Sequence, residues 1–374
     1  MVLMSETLKK IFSTAEATSA SDIHISYNQM PRFRMQGSLV PNPSFTPFSK
    51  DEVDAIAMEL GLETLPIGSS DGTERIRMRL LNEGSIDGAI TSPNGVRYRF
   101  NLYRESGRNS IALRRLESKF KSLKELGLLP QLENFCECMD GLVIVTGPTG
   151  SGKSTTLATL IETINKSRYG HIITIEDPIE YIYESNKCLV NQRQVGRDAT
   201  SFSNALVESL RQDPDVILVG EMRDLATFRT ALAASETGHL VFATMHAGDC
   251  VGAIERFVSV FPAEEQGGVR RQLALVLRGV LSQHLVPTLT GGRVPVCELL
   301  LNNSAAANLI ATGRTAQLFS VMEIGLKSGM MSLDQSLIDL YIRGKISESI
   351  AMTLTKNPDS FRNRLRIIKE GNGR

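Results

Sequence analysis

The residues from Gly147 to Ser154 read Gly-Pro-Thr-Gly-Ser-Gly-Lys-Ser and fit the pattern G-x-x-x-x-G-K-S. Glycines in such a loop allow the backbone to wrap closely around phosphate groups, with several N–H groups pointing inward at the start of a helix. The pattern predicts that Lys153 reaches the β- and γ-phosphates and that the Ser154 hydroxyl binds Mg²⁺. It therefore indicates a site for a nucleoside triphosphate. The residues expected to contact the nucleotide are Gly147, Pro148, Thr149, Gly150, Ser151, Gly152, Lys153, Ser154 and Thr155.

Two acidic segments follow this loop and offer what phosphoryl transfer to water needs, a metal holder and a group that orients the attacking water. The first is Thr174–Tyr181, which carries three carboxylates including Glu180, and the second is Val216–Asp224, an apolar run followed by Glu221. Each lies at the end of a predicted strand, where open parallel sheets place their ligands. If those strands neighbour the strand before the phosphate loop, the carboxylates lie within reach of it. The run ending at Glu221 is typical of a Walker B element.

Two histidines bracket a further predicted strand, Leu240–Thr244. His239 precedes the strand and His246 follows it. Either imidazole could contact the γ-phosphate, although an isolated histidine is more often structural. The residues alone leave both interpretations open.

A predicted strand in the N-terminal third, Val96–Tyr103, alternates cleanly between apolar and polar side chains. Successive side chains of a strand point to opposite faces. One face of this strand is therefore expected to be core, and the other presents Arg97 and Arg99.

The elements that position these residues fall into two groups. In the N-terminal third, helices are predicted at Ser5–Ala17 and Lys50–Leu60, and strands at Asp22–Ser26, Arg32–Met35, Ser85–Thr91, Val96–Tyr103 and Ser110–Leu116. From Gly141 onward, apolar strands alternate with helices, which indicates a parallel sheet covered on both faces. Beyond Asp249 the period is mostly helical, apart from a strand candidate at Pro295–Leu301.

The length of 374 residues favours two domains over one. Glu117–Lys124 is charged and short of bulky apolar residues, so we place the interdomain linker there. Lys plus Arg and Asp plus Glu both number 41, so the formal net charge is zero and a role centred on nucleic acid is disfavoured.

The remaining composition bears on the compartment. Five cysteines at scattered spacing indicate a reducing environment. Met1–Phe12 has no apolar segment of a signal peptide, and no apolar run approaches the roughly 18 residues of a membrane span. We therefore expect a cytoplasmic protein without direct membrane insertion.

Taken in order, these motifs resemble the type IV pilus retraction ATPases of the type II/IV secretion ATPase superfamily. The phosphate loop, Thr174–Tyr181, Val219–Asp224 and Glu236–Leu240 with His246 resemble the Walker A, Asp box, Walker B and His box of that family. Three further segments are typical of the retraction branch: Val190–Gly196, Phe261–Pro262 and Met331–Gln335.

The resemblance implies an α/β protein with a PAS-like N-terminal α/β domain and a C-terminal RecA-like P-loop domain, which has a parallel-rich sheet and a helical C-terminal extension. The corresponding boundaries are residues 1–116, a linker at 117–124, and residues 125–374. The resemblance also implies a homo-hexamer that hydrolyses ATP with Mg²⁺ at the cytoplasmic face of the inner membrane. Its expected partners are an inner-membrane platform protein and a paralogous motor ATPase, and no nucleic acid is expected.

The resemblance also assigns roles to single residues. Glu180 is expected to activate water, Glu221 to lie near Mg²⁺ with Ser154, and His239 and His246 to form the His box. Family members place arginines of the N-terminal domain against the phosphates, and such an arginine finger can be worth about 10³–10⁵ in rate. The candidates here are Arg99, Arg104 and Arg114.

The resemblance has departures that keep alternatives open. Retraction ATPases typically carry two arginines in a segment that reads here Ala306–Gly313 and has none. A motor of the same architecture for pilus assembly or type II/IV secretion is therefore one alternative to retraction. A RecA-like nucleic-acid translocase is an alternative from another class, against which the zero net charge speaks.

Overall fold

The computed structural model describes residues 4–66, 71–117 and 119–371 and forms two compact units. Unit 1 comprises Met1–Lys119 with the segments Glu176–Tyr183 and Gln192–Ser201. Unit 2 comprises Phe120–Ile175, Glu184–Asn191 and Phe202–Arg374. The predicted domain boundaries stay a prediction, and Ser118 of the predicted linker lies outside the described residues.

Unit 1 contains an antiparallel sheet of six strands in the order β3-β2-β1-β6-β5-β4. The strands are β1 (Asp22–Ile25), β2 (Arg32–Met35), β3 (Ser38–Pro41), β4 (Ser85–Thr91), β5 (Arg97–Glu105) and β6 (Arg108–Arg115). The helices are α1 (Glu6–Ala17), α2 (Lys50–Leu62) and α3 (Gly72–Glu83). The sequence did not predict β3 or α3.

The core of unit 1 lies between the helices and one face of this sheet. Helix α1 begins after Ser5, whose side chain accepts a hydrogen bond from Leu8 N (3.3 Å). Its apolar residues recur at helical spacing and are buried, and the Phe12 ring stacks on Tyr98 of β5 with centroids 4.6 Å apart. Tyr98, Phe100 and Leu102 are buried, which confirms the predicted alternation along β5.

Unit 2 contains a seven-stranded sheet in the order β13-β12-β7-β11-β10-β8-β9. The strands are β7 (Gly141–Thr146), β8 (Gly170–Glu176), β9 (Cys188–Gln194), β10 (Val216–Val219), β11 (Leu240–Met245), β12 (Leu277–Pro287) and β13 (Arg293–Leu301). Five strands from β12 to β8 run parallel, and β13 is antiparallel to β12. The strands β7, β10 and β11 are wholly buried, and so are residues 172–175 of β8, as expected for a sheet covered on both faces.

Helices connect these strands and form the C-terminal part of the chain. They are α4 (Leu123–Leu126), α5 (Asn134–Glu137), α6 (Lys153–Ser167), α7 (Phe202–Ser209), α8 (Leu225–Glu236), α9 (Cys250–Ser259), α10 (Ala263–Val276), α11 (Ser304–Ala311), α12 (Leu318–Ile324), α13 (Leu333–Ile342), α14 (Glu348–Leu354) and α15 (Pro358–Gly371). Short 3₁₀ helices lie at Pro130–Glu133, Thr315–Gln317 and Gly325–Ser328. The α/β class predicted from the sequence is confirmed.

One strand of unit 2 contradicts the helical period read beyond Asp249. The segment Leu277–Pro287 forms β12, which pairs with β7 on one side and β13 on the other. A short apolar run cannot be assigned to helix or strand by periodicity alone. Leu277–Pro287 forms a strand because it pairs with two neighbouring strands. The pairing with β12 also extends the predicted strand at Pro295–Leu301 to the full length of β13.

Candidate nucleotide site

The phosphate loop begins where β7 ends, at one edge of the unit 2 sheet. Thr146, the last residue of β7, pairs with Met245, the last residue of β11. The Thr146 hydroxyl accepts a hydrogen bond from Ala247 N (2.8 Å), so the segment after β11 is tied to the start of the loop. The phosphate loop and the residues after β11 therefore share the carboxyl edge of the sheet, where α/β proteins bind ligands.

The curvature of the loop depends on glycine. Gly147 has φ 138° and Gly152 has φ 91°, both in the region that side chains with a Cβ rarely adopt. A Cβ at Gly147 would lie 2.2 Å from the carbonyl oxygen of Gln283, so the backbone also passes too closely for any side chain. These observations confirm that the loop shape requires the glycines of the motif.

Lys153 lies across the mouth of the loop. Its Nζ donates hydrogen bonds to Gly147 O (2.9 Å) and Pro148 O (3.0 Å). Burial lowers the pKa of Lys153 from its ordinary value, and the nearby carboxylate of Glu221 opposes that shift. The ammonium is thus partly desolvated, which strengthens its attraction for a phosphate oxygen.

Ser151 supplies a test of whether a phosphate fits the loop. Its side chain is 2% exposed, and Oγ has no hydrogen-bond partner among the described residues. A buried hydroxyl without a partner is uncommon and costs about 1–3 kcal/mol. A phosphate oxygen in the loop would accept from this hydroxyl, so the loop fits an oxyanion.

Glu221 follows β10 at the same edge of the sheet. Arg223 Nη2 lies 2.6 Å from Glu221 Oε2, and His246 Nε2 lies 3.0 Å from Glu221 Oε1. The Thr244 hydroxyl donates to Gly220 O and links β11 to the residue before Glu221. The structure therefore brings Glu221 and His246 together, and it adds Arg223, which sequence reasoning missed.

The side-chain oxygens near Glu221 fit the way in which nucleotide-binding sites usually bind Mg²⁺. In the described part of the chain, no group of three or more His, Cys, Asp or Glu side chains forms a metal cage. Mg²⁺ is typically bound by one or two protein oxygens together with substrate phosphates and water. The exposed Ser154 hydroxyl at the start of α6 and the Glu221 carboxylate are such oxygens.

The structure separates the two histidines of the predicted His box. The start of β11 pairs with the start of β7, and the end of β11 pairs with Thr146 before the phosphate loop. His246 therefore lies at the edge of the loop, whereas His239 lies at the opposite edge, roughly 20 Å away at about 3.3 Å per strand residue. There the His239 ring contacts Ala234 O (3.0 Å) and Thr237 Oγ1 (3.2 Å) at the end of α8.

The acidic segment with Glu180 does not follow a strand adjacent to the phosphate loop. Two strands, β11 and β10, lie between β7 and β8, so the condition stated for this segment is not met. The strand β10, which leads to Glu221, is separated from β7 by β11 alone. Glu180 itself belongs to unit 1, where its Oε1 lies 3.8 Å from Arg99 Nη1. Arg97 binds the same segment, because its Nε and Nη2 donate to Ile179 O at 3.2 and 3.0 Å.

The three candidate arginines of unit 1 do not share one face of the sheet. Arg99 and Arg114 are register partners on β5 and β6 and lie on the face opposite the helices. Arg114 Nε is paired with Asp22 Oδ1 at 2.9 Å. Arg104, five residues after Arg99, is on the other face and lines a cavity of about 230 Å³ together with Lys50.

Gln283 is the clearest residue of the site that the motifs did not indicate. It lies on β12, it is 3% exposed, and its amide bonds to Ser151 of the phosphate loop at one end and to Thr156 of α6 at the other. The sequence did not predict this role for Gln283. The pattern of its segment predicts a helix, and Gln283 lies more than 125 positions from Ser151 and Thr156, to which it bonds.

Known proteins resemble this chain over most of its length. A family model described as Type II/IV secretion system protein matches residues 2–324. The type IV pilus retractation ATPase PilT of Pseudomonas aeruginosa is 40% identical over 354 residues, which cover 95% of this chain and 99% of that protein. A twitching motility protein of Neisseria gonorrhoeae is 45% identical over 277 residues, or 74% of each chain.

A solved structure is similar as well. The crystal structure of the pilus retraction motor PilT with bound ADP has a TM-score of 0.85 and 39% identity, covering 94% of this chain and 98% of that chain. The family match and the identity over nearly the whole length agree with the nucleotide loop described above. The chain therefore belongs to the Type II/IV secretion system protein family, within its PilT-like pilus retraction ATPases.

Proposed function

We propose that this chain is the ATP-hydrolysing subunit of a homo-hexameric motor that drives type IV pilus retraction. The observation that carries the proposal is the phosphate loop at the carboxyl edge of the unit 2 sheet. Lys153 and the unpartnered Ser151 hydroxyl line this loop, and Glu221 and His246 lie together at the same edge. The loop with its lysine and the acid that would hold Mg²⁺ are two of the parts that nucleotide hydrolysis uses.

The geometry of the loop supports the following roles in hydrolysis. The loop N–H groups and Lys153 bind the phosphates, and Ser154 and Glu221 would hold Mg²⁺. When bound there, Mg²⁺ neutralises charge on the β- and γ-phosphates. His246 fixes the orientation of the Glu221 carboxylate through the 3.0 Å contact and is the nearer of the two histidines to the phosphate loop along β11.

We assign two further roles to unit 1. Glu180 orients the attacking water, and Arg99 binds the γ-phosphate of ATP held by the same subunit or a neighbour. The contact of 3.8 Å between Arg99 and Glu180 supports a joint role, since the arginine and the carboxylate can exchange partners as phosphate arrives and leaves. Arg114 forms a shorter ion pair, with Asp22 at 2.9 Å, so we rank it below Arg99 as the arginine that binds the γ-phosphate.

A motor of the same architecture for pilus assembly or protein export is the second candidate. The observation that favours it is Ala306–Gly313, which lacks the two arginines typical of retraction ATPases. In either case we place the motor at the cytoplasmic face of the inner membrane, bound to a platform protein and accompanied by a paralogous motor. Among the described residues, no helix is both long and apolar enough to cross a membrane.

The test is a count of surface pili in a strain deleted for the gene, compared with its parent and with strains that carry the wild-type or the Lys153→Ala allele. Retraction predicts more pili and lost twitching in the deletion strain, restored by wild type and not by Lys153→Ala. Loss of pili would identify an assembly motor instead. An unchanged pilus count with unchanged twitching would contradict a role as the main retraction motor and favour export or an accessory motor masked by the paralogue.

A further inference from the structure

Strand β12 forms one wall of the phosphate loop. It pairs in parallel with β7 as far as Ser282 opposite Thr146, and then continues to Pro287 while β7 has already turned into the loop. Gln283 is the first residue of β12 beyond that pairing. It lies beside the start of the loop and is 3% exposed.

The Gln283 amide is bound at both ends by the loop and the helix that follows it. Nε2 donates to Ser151 O (2.8 Å), and Oε1 accepts from Thr156 Oγ1 (2.7 Å). Thr156 is itself buried in the first turns of α6. A buried amide with one donor and one acceptor engaged in this way has a single orientation.

Gln283 also lies against two glycines of the loop. A Cβ at Gly147 would lie 2.2 Å from its carbonyl oxygen, and a Cβ at Gly152 would lie 2.8 Å from its Nε2. Backbone and side chain of Gln283 thus touch both ends of the segment that curves around the phosphate. Four of its contacts (Gly147, Ser151, Gly152 and Thr156) belong to the loop or to α6.

We propose that Gln283 is a positioning residue for nucleotide binding, which sets the orientation of the Ser151–Gly152 peptide in the phosphate loop. The C=O and N–H of one trans peptide point in opposite directions. Holding Ser151 O toward Gln283 therefore directs the Gly152 N–H away from it, as a phosphate donor. The inference rests on the proposed function, because it concerns the same nucleotide.

A buried glutamine that only fills space would make a different prediction. Its replacement would lower the stability of the protein and the amount of folded material, and the affinity of the folded fraction would not change. A positioning role predicts instead a loss of affinity in folded protein, with KM for ATP raised more than kcat is lowered, since the loop holds ground and transition states alike.

The test is the affinity of the full-length protein for ADP with Mg²⁺, measured by calorimetry for wild type, Gln283→Met and Gln283→Glu. Methionine keeps the volume and removes both hydrogen bonds, so we expect about 10- to 100-fold weaker binding. Glutamate keeps the shape, and when ionised it places a charge against Ser151 O. At about pH 8 we expect an equal or larger loss than for methionine.

The glutamate variant adds a readout that a purely structural role would not move. A protonated glutamic acid is shaped like glutamine and can donate to Ser151 O, and burial raises the pKa of a carboxyl group. At about pH 6 the Gln283→Glu variant is therefore expected to recover much of its ADP affinity relative to wild type, whereas Gln283→Met is not.

Two controls accompany these variants. His284→Asn changes the neighbouring residue of β12, whose ring faces Gly248 O at 3.4 Å, and it should leave ADP affinity within about twofold of wild type. Lys153→Ala should abolish binding in the same assay. Circular dichroism and thermal unfolding establish that each variant is folded.

The outcomes separate this inference from the proposed function. Folded Gln283→Met and Gln283→Glu proteins that bind ADP as wild type does, while Lys153→Ala does not, would overturn the role of Gln283 and leave the proposed function standing. A pH response that is the same in both Gln283 variants would also overturn it. Wild-type protein that does not bind ADP would refute the proposed function, and this inference with it.

Discussion

The phosphate loop of unit 2 and the arginine face of unit 1, which we define as Arg97, Arg99 and Arg114, use opposite means to present charge. The loop offers backbone groups and one lysine, held by glycine conformations and by buried contacts to Gln283. The arginine face offers long side chains. Arg97 is partly buried and donates to Ile179 O, whereas Arg99 is 44% and Arg114 is 72% exposed.

The difference indicates that the phosphate loop is held rigidly, whereas the side chains of the arginine face can change partners. Misplacing the loop would leave buried polar groups, such as the Gln283 amide, without hydrogen-bond partners, at a cost of about 1–3 kcal/mol each. The ion pairs of Arg99 with Asp87 (3.7 Å) and Glu180 (3.8 Å) are long and partly exposed, and such pairs contribute only ~0–1 kcal/mol. Arg99 can therefore leave its partners for a phosphate with little loss of stability, which suits an element that responds to the nucleotide state.

The largest effect is expected at the rigid region. Replacing Lys153 by Ala removes the ammonium that bridges Gly147 O and Pro148 O, and we expect ATP hydrolysis to fall to background. Phosphate release by the purified protein measures this. Lys166→Ala is the matched control, since this lysine lies on the same helix and pairs with Glu162 at 2.8 Å. Unchanged hydrolysis in Lys153→Ala would refute the assignment of the loop.

A second experiment compares the two faces of the unit 1 sheet. Arg99→Ala should lower kcat by about 10³-fold if Arg99 stabilises charge on the γ-phosphate. Arg104→Ala changes an arginine of the same strand whose side chain is on the other face, and it should leave kcat near that of wild type. Steady-state kinetics of both variants decide between the faces. Equal effects of the two substitutions would contradict the assignment of Arg99.

A third experiment sharpens the claim that the loop is rigid. Gly147→Ala places a Cβ 2.2 Å from Gln283 O at φ 138°, and we expect it to lower the free energy of unfolding by about 2 kcal/mol and to weaken ADP binding.

Gly150→Ala is the matched control for this substitution. Gly150 also has a positive φ of 77°, but a Cβ there meets nothing within 4 Å, so only about 1 kcal/mol of backbone strain is expected. Denaturant unfolding and calorimetry compare the two variants. If Gly150→Ala were the more damaging variant, steric fit to Gln283 would not explain the loop shape.

The smallest effect concerns the pairing of Arg114 with Asp22. Burial raises the pKa of Asp22, but hydrogen bonds from Arg114 and Ser21 and the charge of Arg114 outweigh it, so the pKa lies below its ordinary value. A carboxyl whose pKa is lowered by folding stabilises the folded state above its unfolded pKa of about 3.9, and this contribution is lost as pH falls through the folded pKa.

We therefore expect Asp22→Asn to lower the free energy of unfolding by ~0.5–1 kcal/mol at neutral pH. The difference from wild type should shrink as pH falls below about 4. Urea unfolding across that range measures it. Asp71→Asn is the control, because Asp71 precedes α3 and makes no side-chain cap hydrogen bond there. A difference that grows toward acid pH would contradict a lowered pKa of Asp22 in the folded protein.

Many strands and the phosphate loop could be predicted from the sequence, because the patterns that indicate them are local. The strands Arg32–Met35 and Ser85–Thr91 were predicted at the bounds that β2 and β4 have in the structure. The alternation along β5 was confirmed for the same reason, since the polarity of each residue indicates which face of the sheet its side chain is on. The phosphate loop is likewise a continuous motif whose conformation depends on its own glycines.

The missed or misplaced parts depend on contacts between distant segments. Strand β12 exists because β7 and β13 flank it, and only then does Gln283 reach Ser151 and Thr156 across 132 and 127 positions. The separation of His239 from His246 follows from the direction of β11 in the sheet. The order of the strands likewise separates β8, which leads to Glu180, from β7.

The sequence alone thus predicts phosphate binding, because this function depends on residue types at fixed local spacing. The sequence does not predict which distant residues surround the phosphate loop. Strand order, strand direction and burial are properties of the closed sheet, and they depend on the sum of many weak contacts between distant residues. Only the tertiary structure therefore shows that Gln283 joins the loop and that two strands separate β8 from β7.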